Sequence, residues 1–478
     1  MRTNKGIIIT IVIMLLIFLM RMPGITNAPP EMGDMWRQPD TESISRNFVD
    51  HEFNILRPQF NYDGALPNYI QLEFQITTFI IAILYKIFGH HYYLARLVPI
   101  LFFMISVYYL YRLIEKIYGK KAAWITIIIY GIIPINLFYS RAIMPESAAL
   151  CFFNGAFYYF YKWYKDNKNM DLFISGIFTA MAISQKTPAI FIGLAFIFMC
   201  IEKYGLRFIT KSKLWLFGAI AIIPPFAYIF YAGKIAEFKF VSGIGLKHII
   251  PNFAKSVFSE KAMDFYNINL PKSFTLLILI LAIIGIFTLF SKMDRPLLYL
   301  SLSIVLEVIF IVSVIKFKYY LIFLAPIIAI LAGRTLYLLS SNIRIVGSIV
   351  LVLTLTYTGV SSYNIVKDDY IVREDIVNFG RIIDENTSPG DLVVIGYPDS
   401  GRLSISNRQG WRANIDIYPE IPEGVVAEIK YYVDNKVRYF ILDGSGVIGD
   451  GGAYRRYLDD NFEMELIEEK YRFYKLND

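Results

Sequence analysis

The stretch YIQLEFQITTFIIAILYKIF, residues 69–88, decides how many times this chain crosses a membrane. Its first half carries Gln71, Glu73 and Gln75, so its continuous apolar part is shorter than the roughly 20 residues that a crossing helix needs. If it did cross, the short basic loops 112–121, 162–168 and 203–213 would all lie outside the cell. Cytoplasmic loops normally carry the excess of Lys and Arg. The sequence therefore predicts a juxtamembrane helix on the outer face.

The composition is that of a polytopic membrane protein. Of 478 residues, 56% are hydrophobic and only 18% are charged, and the mean hydropathy is +0.47. Soluble domains contain roughly 45–50% apolar and about 25% charged residues. This excludes disordered, collagen-like, coiled-coil and disulfide-scaffold proteins. The two cysteines, Cys151 and Cys200, lie in apolar runs and indicate no disulfide.

The net charge of +7 is divided unequally along the chain. From Lys367 onward there are 14 basic and 22 acidic residues, and before it there are 33 basic and 18 acidic residues. We therefore predict a transmembrane domain over residues 1–363 and a soluble extracytoplasmic domain over residues 364–478. Basic loops beside membrane helices set orientation or contact lipid head groups, so nucleic acid is not implied as a partner.

Eleven membrane helices are predicted. The first apolar run, Ile7–Met20, is interpreted as an uncleaved helix, with a cleaved signal peptide as the alternative. The other ten are predicted at about 96–113, 121–139, 147–163, 171–185, 188–202, 213–231, 273–290, 297–315, 319–338 and 344–362. This topology predicts a multi-pass plasma-membrane protein with its N-terminus in the cytoplasm and its C-terminus outside. The outer loops 23–91 and 231–272 are long, which is typical of functional loops.

The C-terminal part alternates between helical and strand patterns and predicts a small α/β domain. Helices are expected at Arg373–Glu385, Val425–Asn435 and Tyr454–Asn461, strands at Leu392–Ile395 and Val437–Leu442, and further strands within Phe462–Tyr474. The predicted fold class is thus mainly α, with this small α/β domain appended.

Charged residues cluster where the predicted helices meet the outer face. The clusters are Trp36-Arg-Gln-Pro-Asp-Thr41 with Arg46, Leu72-Glu-Phe74, Tyr139-Ser-Arg-Ala-Ile-Met-Pro-Glu146, Gln185-Lys-Thr-Pro188 and Lys316-Phe-Lys-Tyr-Tyr320. Charges beside hydrocarbon are costly and are functional candidates. A carboxylate can deprotonate an acceptor, and Lys or Arg can hold a lipid-linked phosphate. Structural alternatives remain: Asp40 could cap a helix starting at Thr41, and Arg141 could pair with Glu146.

In order along the chain, these motifs resemble those of the polytopic GT-C glycosyltransferases. They are most similar to the prokaryotic protein O-mannosyltransferase and aminoarabinose-transferase-like branch, families 39 and 83. The similarity covers about residues 1–340, and the C-terminal domain resembles extracytoplasmic domains of some members. The resemblance implies a GT-C fold and transfer of a sugar from a polyprenyl-phosphate donor, with inversion, to a lipid, glycan or protein acceptor outside the cytoplasm.

The resemblance also implies roles for individual residues. Asp40 matches the acidic residue of the first loop that acts as catalytic base or positions the acceptor, and Lys186 resembles the lysine that faces the donor phosphate. The expected catalytic residues are Asp40, Glu73 and Glu146, and the expected phosphate-binding residues are Lys186, Lys318, Tyr319, Arg37 and Arg141. Glu146 stands where relatives usually have aspartate. The paired Asp-Glu of the eukaryotic mannosyltransferases is absent, which weakens the implication of a protein acceptor.

Two other classes of function stay open. A transporter or flippase for lipid-linked sugars would be expected to carry inverted repeats and mid-membrane charges, of which we find only Glu307. Glu307 is equally consistent with a packing hydrogen bond and with a cavity lining. A non-catalytic scaffold would leave the charged clusters unexplained. The four histidines have no metal-ligand spacing, so no cofactor is predicted, although a divalent metal stays open. A phosphate-cradling Gly loop is absent, which argues against an ATP-driven transporter.

Overall fold

The computed structural model describes residues 2–34, 36–236, 238–289, 291, 293–415, 421–444 and 446–477, with side chains described except at 2–4 and 238. The α-helices are α1 Arg2–Leu19, α2 Arg37–Asp50, α3 Ile76–Phe88, α4 Tyr92–Tyr118, α5 Lys120–Ile132, α6 Pro134–Tyr139, α7 Glu146–Asp166, α8 Asn169–Gln185, α9 Ile192–Tyr204, α10 Ser212–Ile235, α11 Ile250–Ser256, α12 Glu260–Phe274, α13 Leu276–Ile286, α14 Arg295–Glu307, α15 Leu324–Asn342, α16 Arg344–Val366, α17 Glu374–Asn386, α18 Gly401–Ser406, α19 Val425–Asp434 and α20 Ala453–Asn461. Short 3₁₀ or π segments cover Thr187–Phe191, Gly205–Thr210, Ile244–Ile249, Val308–Val312, Lys318–Phe323 and Asp368–Tyr370.

Six helical segments within the described residues are long and apolar enough to cross a membrane. They are Tyr92–Tyr118, Thr187–Thr210, Ser212–Ile235, Arg295–Val312, Lys318–Asn342 and Arg344–Val366. A seventh is formed if α12 and α13, which meet at a bend of 96°, count as one. Fewer than the expected eleven meet this criterion because several are short or interrupted. Pro134 separates α5 from α6, and α8 has only 17 residues.

The segment that decides the topology is short in the structure as well. Its helix, α3, has 13 residues. At 1.5 Å per residue it is about 20 Å long, against a hydrocarbon core of about 30 Å. The polar half before it contains β1, Ile70–Gln71, which pairs in parallel with β2, Phe238–Lys239. The two long loops therefore contact each other.

The C-terminal residues form a five-stranded sheet. Its strands are β3 Leu392–Ile395, β4 Gln409–Arg412, β5 Tyr439–Leu442, β6 Glu463–Ile467 and β7 Tyr471–Lys475, in the spatial order β4-β3-β5-β7-β6. The first three are parallel, and β7 runs antiparallel to β5 and β6. The helices and strands predicted from the alternating pattern are confirmed to within about two residues at each end. Strand β4 and helix α18 were not predicted.

The sheet packs on the first long loop and shares a hydrophobic core with it. Ile44 and Phe60 from the loop pack in one cluster with Phe379, Val393 and Leu403 from the C-terminal part. The loop also follows the free edge of the sheet, since the Gly410 N–H donates to the Asn61 carbonyl (3.0 Å) and the Gly64 N–H donates to the Gly410 carbonyl (3.1 Å). These contacts place the C-terminal part directly over helix α2.

Candidate active site

Helix α2 is polar in sequence but almost entirely buried. Residues 38–48 are all buried, and buried polar groups are stable only when they are hydrogen-bonded or paired. Glu42 accepts from Arg46 at 2.8 Å and from Tyr85 at 3.0 Å. Asp40 lies inside the first turn of α2, which begins at Arg37. It therefore does not cap a helix that starts at Thr41.

The Asp40 carboxylate is held by three hydroxyl groups. It accepts hydrogen bonds from Ser404 Oγ at 2.8 Å, from Ser400 Oγ at 3.1 Å and from Tyr62 Oη at 3.1 Å. Burial raises the pKa of Asp40 to about 6, and the three hydroxyls act in the opposite direction because they stabilise the ionised form. Asp40 is thus a carboxylate with a pKa suited to accept a proton near neutral pH.

Glu73 forms an ion pair with Arg37, with Arg37 Nη2 at 2.7 Å from Glu73 Oε1. Burial would raise the pKa of Glu73, but Arg37 and Lys186 outweigh it and hold that pKa below its usual value. Glu73 is therefore ionised at neutral pH. It connects α2 to the segment that leads into α3.

Lys186 is buried beside Glu146 and two tyrosines. Its Nζ lies 2.7 Å from Glu146 Oε1 and 4.3 and 4.5 Å from the ring centres of Tyr319 and Tyr320. Lys186 has an extended backbone at the end of α8, just before the 3₁₀ turn that contains Pro188. Glu146 begins α7, where the helix dipole favours a negative charge. The structural alternative, a pair of Arg141 with Glu146, is not formed, because Arg141 pairs with Glu31 instead.

Two cavities both border Glu73 and Phe240. The first, of about 100 Å³, is lined by Trp36, Arg37, Asp40, Thr41, Ile44, Phe60, Tyr62, Ile70, Leu72, Glu73, Phe74, Gln75, Thr77, Thr78, Pro145, Gln185 and Phe240. The second, of about 390 Å³, is lined by Glu73, Lys186, Thr187, Pro188, Ile190, Phe191, Phe226, Ile229, Phe240, Val241, Ser242, Gly243, Ile244, Gly245, Leu246, Ile249, Ile311, Ile315 and Tyr320. The first contains aromatic and polar groups, and the second is mostly apolar, with Lys186 and Glu73 as its charged side chains.

Not every residue expected at the site lines these cavities. Arg141 is fully buried and pairs with Glu31 at 2.9 Å. Lys318 pairs with Asp369 at 3.2 Å. Tyr319 is buried between the ring of Phe317 and the cations Arg37 and Lys186. The cations that do line a cavity are Arg37 in the first and Lys186 in the second.

Glu307 is completely buried in α14. Neither of its carboxylate oxygens has a hydrogen-bond partner among the described residues. It does not line either cavity. Among the described residues, no group of three or more His, Cys, Asp or Glu side chains could hold a metal ion.

Sequence reasoning missed several residues that contact the site, among them Tyr62, which donates to Asp40. Ser400 and Ser404 are a helical turn apart, and both donate hydrogen bonds to Asp40, which lies more than 350 positions earlier in the sequence. Their i, i+4 spacing is the only local signal, and it does not say what they face. Tyr320, rather than its neighbour Tyr319, lines the second cavity.

Part of the chain matches a known family in sequence. Residues 76–231, about a third of the chain, match the family described as dolichyl-phosphate-mannose-protein mannosyltransferase. A search of curated proteins gives no match.

Several solved structures have a similar fold. ArnT from Cupriavidus metallidurans bound to undecaprenyl phosphate has a TM-score of 0.70 and 13% identity, over 100% of this chain and 99% of that chain. The archaeal oligosaccharyltransferase AglB from Archaeoglobus fulgidus, in complex with an inhibitory peptide and a dolichol-phosphate, has a TM-score of 0.62 and 12% identity, over 100% of this chain and 75% of that chain. The resemblance to GT-C glycosyltransferases expected from the motifs is thereby confirmed at the level of similarity: the chain is similar in fold to ArnT and AglB, and residues 76–231 are similar in sequence to the mannosyltransferase family.

Proposed function

We propose that this protein is a membrane glycosyltransferase that transfers a sugar from a polyprenyl-phosphate donor to an acceptor on the extracytoplasmic face. The observation that carries the proposal is the pair of cavities that both border Glu73. One contains a buried carboxylate, Asp40, with a pKa of about 6. The other is apolar and contains Lys186. A sugar bound at the junction would have a base on one side and a phosphate site on the other.

The second cavity suits the donor. Phe226, Ile229 and Ile311 supply apolar walls for a polyprenyl chain, and Lys186 is a cation for its phosphate. Arg37, which lines the first cavity beside Glu73, is the second cation within reach of the junction. The structures of ArnT with undecaprenyl phosphate and of AglB with a dolichol-phosphate support a lipid-phosphate donor. Because Lys318 and Arg141 do not line either cavity, we give the phosphate role to Lys186 and Arg37.

The proposed reaction is a single displacement at the anomeric carbon. Asp40 accepts the proton of the acceptor's hydroxyl or amine as the oxygen or nitrogen attacks, so a bond to the anomeric carbon forms. The bond from that carbon to the phosphate oxygen breaks, and the electron pair leaves with the polyprenyl phosphate. Lys186 and Arg37 stabilise the negative charge that develops on the phosphate. One displacement inverts the anomeric configuration.

We also propose the topology that this reaction needs. Eleven crossings, with the N-terminus in the cytoplasm, would place Asp40 and Lys186 on the outer side. The distribution of Lys and Arg in the short loops supports this orientation. The membrane domain would comprise residues 1–363 and the extracytoplasmic domain residues 364–478.

A transfer assay tests the proposal. Purified full-length protein in vesicles is given a panel of undecaprenyl- and dolichyl-phosphate sugars, with cell-envelope extracts as the source of acceptor, and release of polyprenyl phosphate is measured. Asp40→Asn should lower the rate by about 10²–10⁴-fold, the usual cost of losing a general base. Asp50→Asn, the same substitution at the exposed end of α2, should leave the rate unchanged.

The assay also separates the alternative functions. A flippase would move the intact lipid-linked sugar without releasing polyprenyl phosphate, and a scaffold would do neither. An Asp40→Asn protein with the wild-type rate would remove Asp40 as the base and leave Glu73 as the remaining cavity carboxylate.

A further inference from the structure

Two of the three groups that hold Asp40 come from the C-terminal part of the chain. Ser400 and Ser404 lie at the start of and within α18, four residues apart, and so face the same side of the helix. Ser404 is fully buried and Ser400 nearly so. Both hydroxyls donate to the Asp40 carboxylate, one to each oxygen. A carboxylate bound at both oxygens is fixed in rotation as well as in position.

The helix that carries these serines is itself fixed against α2. The Arg46 side chain donates to the carbonyl of Ser404, and Arg46 is paired with Glu42 on its own helix. Leu403, between the two serines, is completely buried in the core that the C-terminal part shares with the first loop. The hydroxyls therefore reach Asp40 from a rigid support.

We propose that Ser400 and Ser404 are positioning residues for Asp40, so that the C-terminal part of the chain completes the active site. This inference rests on the proposed function, in which Asp40 is the base. Two of the carboxylate's hydrogen bonds then depend on α18, and the remaining acceptor capacity of its oxygens is directed to the cavity that Asp40 lines. The C-terminal part is thereby assigned a role in the chemistry, in addition to any role in binding.

The chemical consequence of the two hydroxyls is specific. They stabilise the ionised carboxylate, so removing one should raise the pKa of Asp40 above its value of about 6. A contact that only held the fold together would lower the amount or stability of the protein without moving this titration. The titration of Asp40 is therefore the quantity to measure.

The variants are Ser404→Ala and Ser400→Ala, with Ser406→Ala as matched control. Ser406 is on the same helix and just as buried, but its hydroxyl donates to the Leu403 carbonyl at 2.9 Å. All are made in the full-length protein. The first measurement is the thermal unfolding midpoint between pH 4 and 8, which needs no substrate. Each variant is compared with the same variant carrying Asp40→Asn.

The sign of the expected curve follows from linkage. Because the folded state binds the Asp40 proton more tightly than the unfolded chain does, ionised Asp40 costs stability as pH rises, and this cost is complete above pH about 6. In Ser404→Ala the loss of stability with rising pH should continue to a pH about one unit higher than in the wild type. Ser400→Ala should shift it in the same direction, and Ser406→Ala should give the wild-type curve. Unshifted curves for both Ser400 and Ser404 variants would overturn the inference.

The second measurement is the transfer rate against pH at saturating donor. In Ser404→Ala the pH at which the rate begins to fall should be higher by about one unit. At pH values below that point the variant should therefore be about tenfold slower than the wild type, and KM for the donor should stay the same. An equal loss of rate at every pH would also overturn the inference. If Asp40→Asn is fully active, the proposed base fails, and the thermal titration still decides whether the serines hold the carboxylate.

Discussion

Asp40 illustrates how a single residue is adjusted to its proposed task. Burial alone disfavours its charged form, and the hydroxyls of Tyr62, Ser400 and Ser404 recover part of the cost. The result is a pKa of about 6, two units above that of a free aspartate. A base with this pKa is ionised at neutral pH and still basic enough to take a proton.

We predict an acid limb in the pH–rate profile. Asp40 must be ionised to accept a proton, so the rate should fall about tenfold per unit as pH drops below about 6. Above that pH the rate should no longer change with the ionisation of Asp40. The measurement is the transfer rate between pH 4.5 and 8 at saturating donor, with protein integrity checked at each pH. A rate independent of pH down to 4.5 would contradict the assignment.

Lys186 supports a second prediction at the residue scale. Lys186→Met should weaken binding of undecaprenyl phosphate by roughly tenfold to a hundredfold, the value of one charge-assisted contact. Because this variant leaves Glu146 buried without its cation, it is combined with Glu146→Gln. Binding to vesicle-reconstituted protein is measured, with undecaprenol as the ligand that lacks phosphate.

The control for this prediction is Lys318→Met. Lys318 is a half-buried lysine paired with Asp369, and it does not line either cavity. It should keep wild-type affinity for undecaprenyl phosphate, and undecaprenol should bind all variants alike. Equal losses in the Lys186 and Lys318 variants would show that the assignment of the phosphate to the second cavity is wrong.

At the scale of elements, the edge strand β4 connects the first loop to the sheet. Its Gly410 pairs with Val393 of β3 on one side and with Asn61 and Gly64 of the loop on the other. A Cβ at Gly410 would overlap the backbone carbonyl of Val393. Glycine is therefore required here because two backbone segments approach it closely.

Gly410→Ala should destabilise the protein by about 3 kcal/mol or more, since backbone atoms cannot yield as a flexible side chain can. Gly444→Ala is the control, because a Cβ there would meet no atom closer than 3.9 Å. Chemical denaturation of the purified protein, followed through tryptophan fluorescence, compares the two. Similar stability of both variants would mean that the sheet edge adapts without cost.

At the scale of the whole molecule, the proposed orientation places Lys165 in the cytoplasm and Asp460 outside. Both are exposed in the structure, and the native Cys151 and Cys200 are buried. Lys165→Cys should resist a membrane-impermeant thiol reagent in intact cells, and Asp460→Cys should react with it. After permeabilisation both should react. Labelling of Lys165→Cys from outside would reverse the orientation and make residues 69–88 a crossing helix.

The apolar character of the chain, most of its secondary structure and the motifs of the family follow from the amino-acid sequence alone. Hydropathy and the period of apolar residues are local properties that act over one helix or strand. This is why Leu392–Ile395 and Val425–Asp434 were predicted closely. It is also why β4 was missed, because its sequence QGWR has no strand pattern of its own and becomes a strand only beside β3 and the loop.

Which charged residues contact each other depends on the tertiary structure. Four cations, Arg37, Arg141, Lys186 and Lys318, were expected near the phosphate. Arg141 pairs with Glu31 and Lys318 with Asp369, and neither cation lines either of the two cavities, whereas Arg37 and Lys186 do. The contacts of Asp40 with Ser400 and Ser404 join residues more than 350 positions apart. A buried charge takes the partner that packing brings to it, and packing depends on the whole chain, so no local pattern could have identified these pairs.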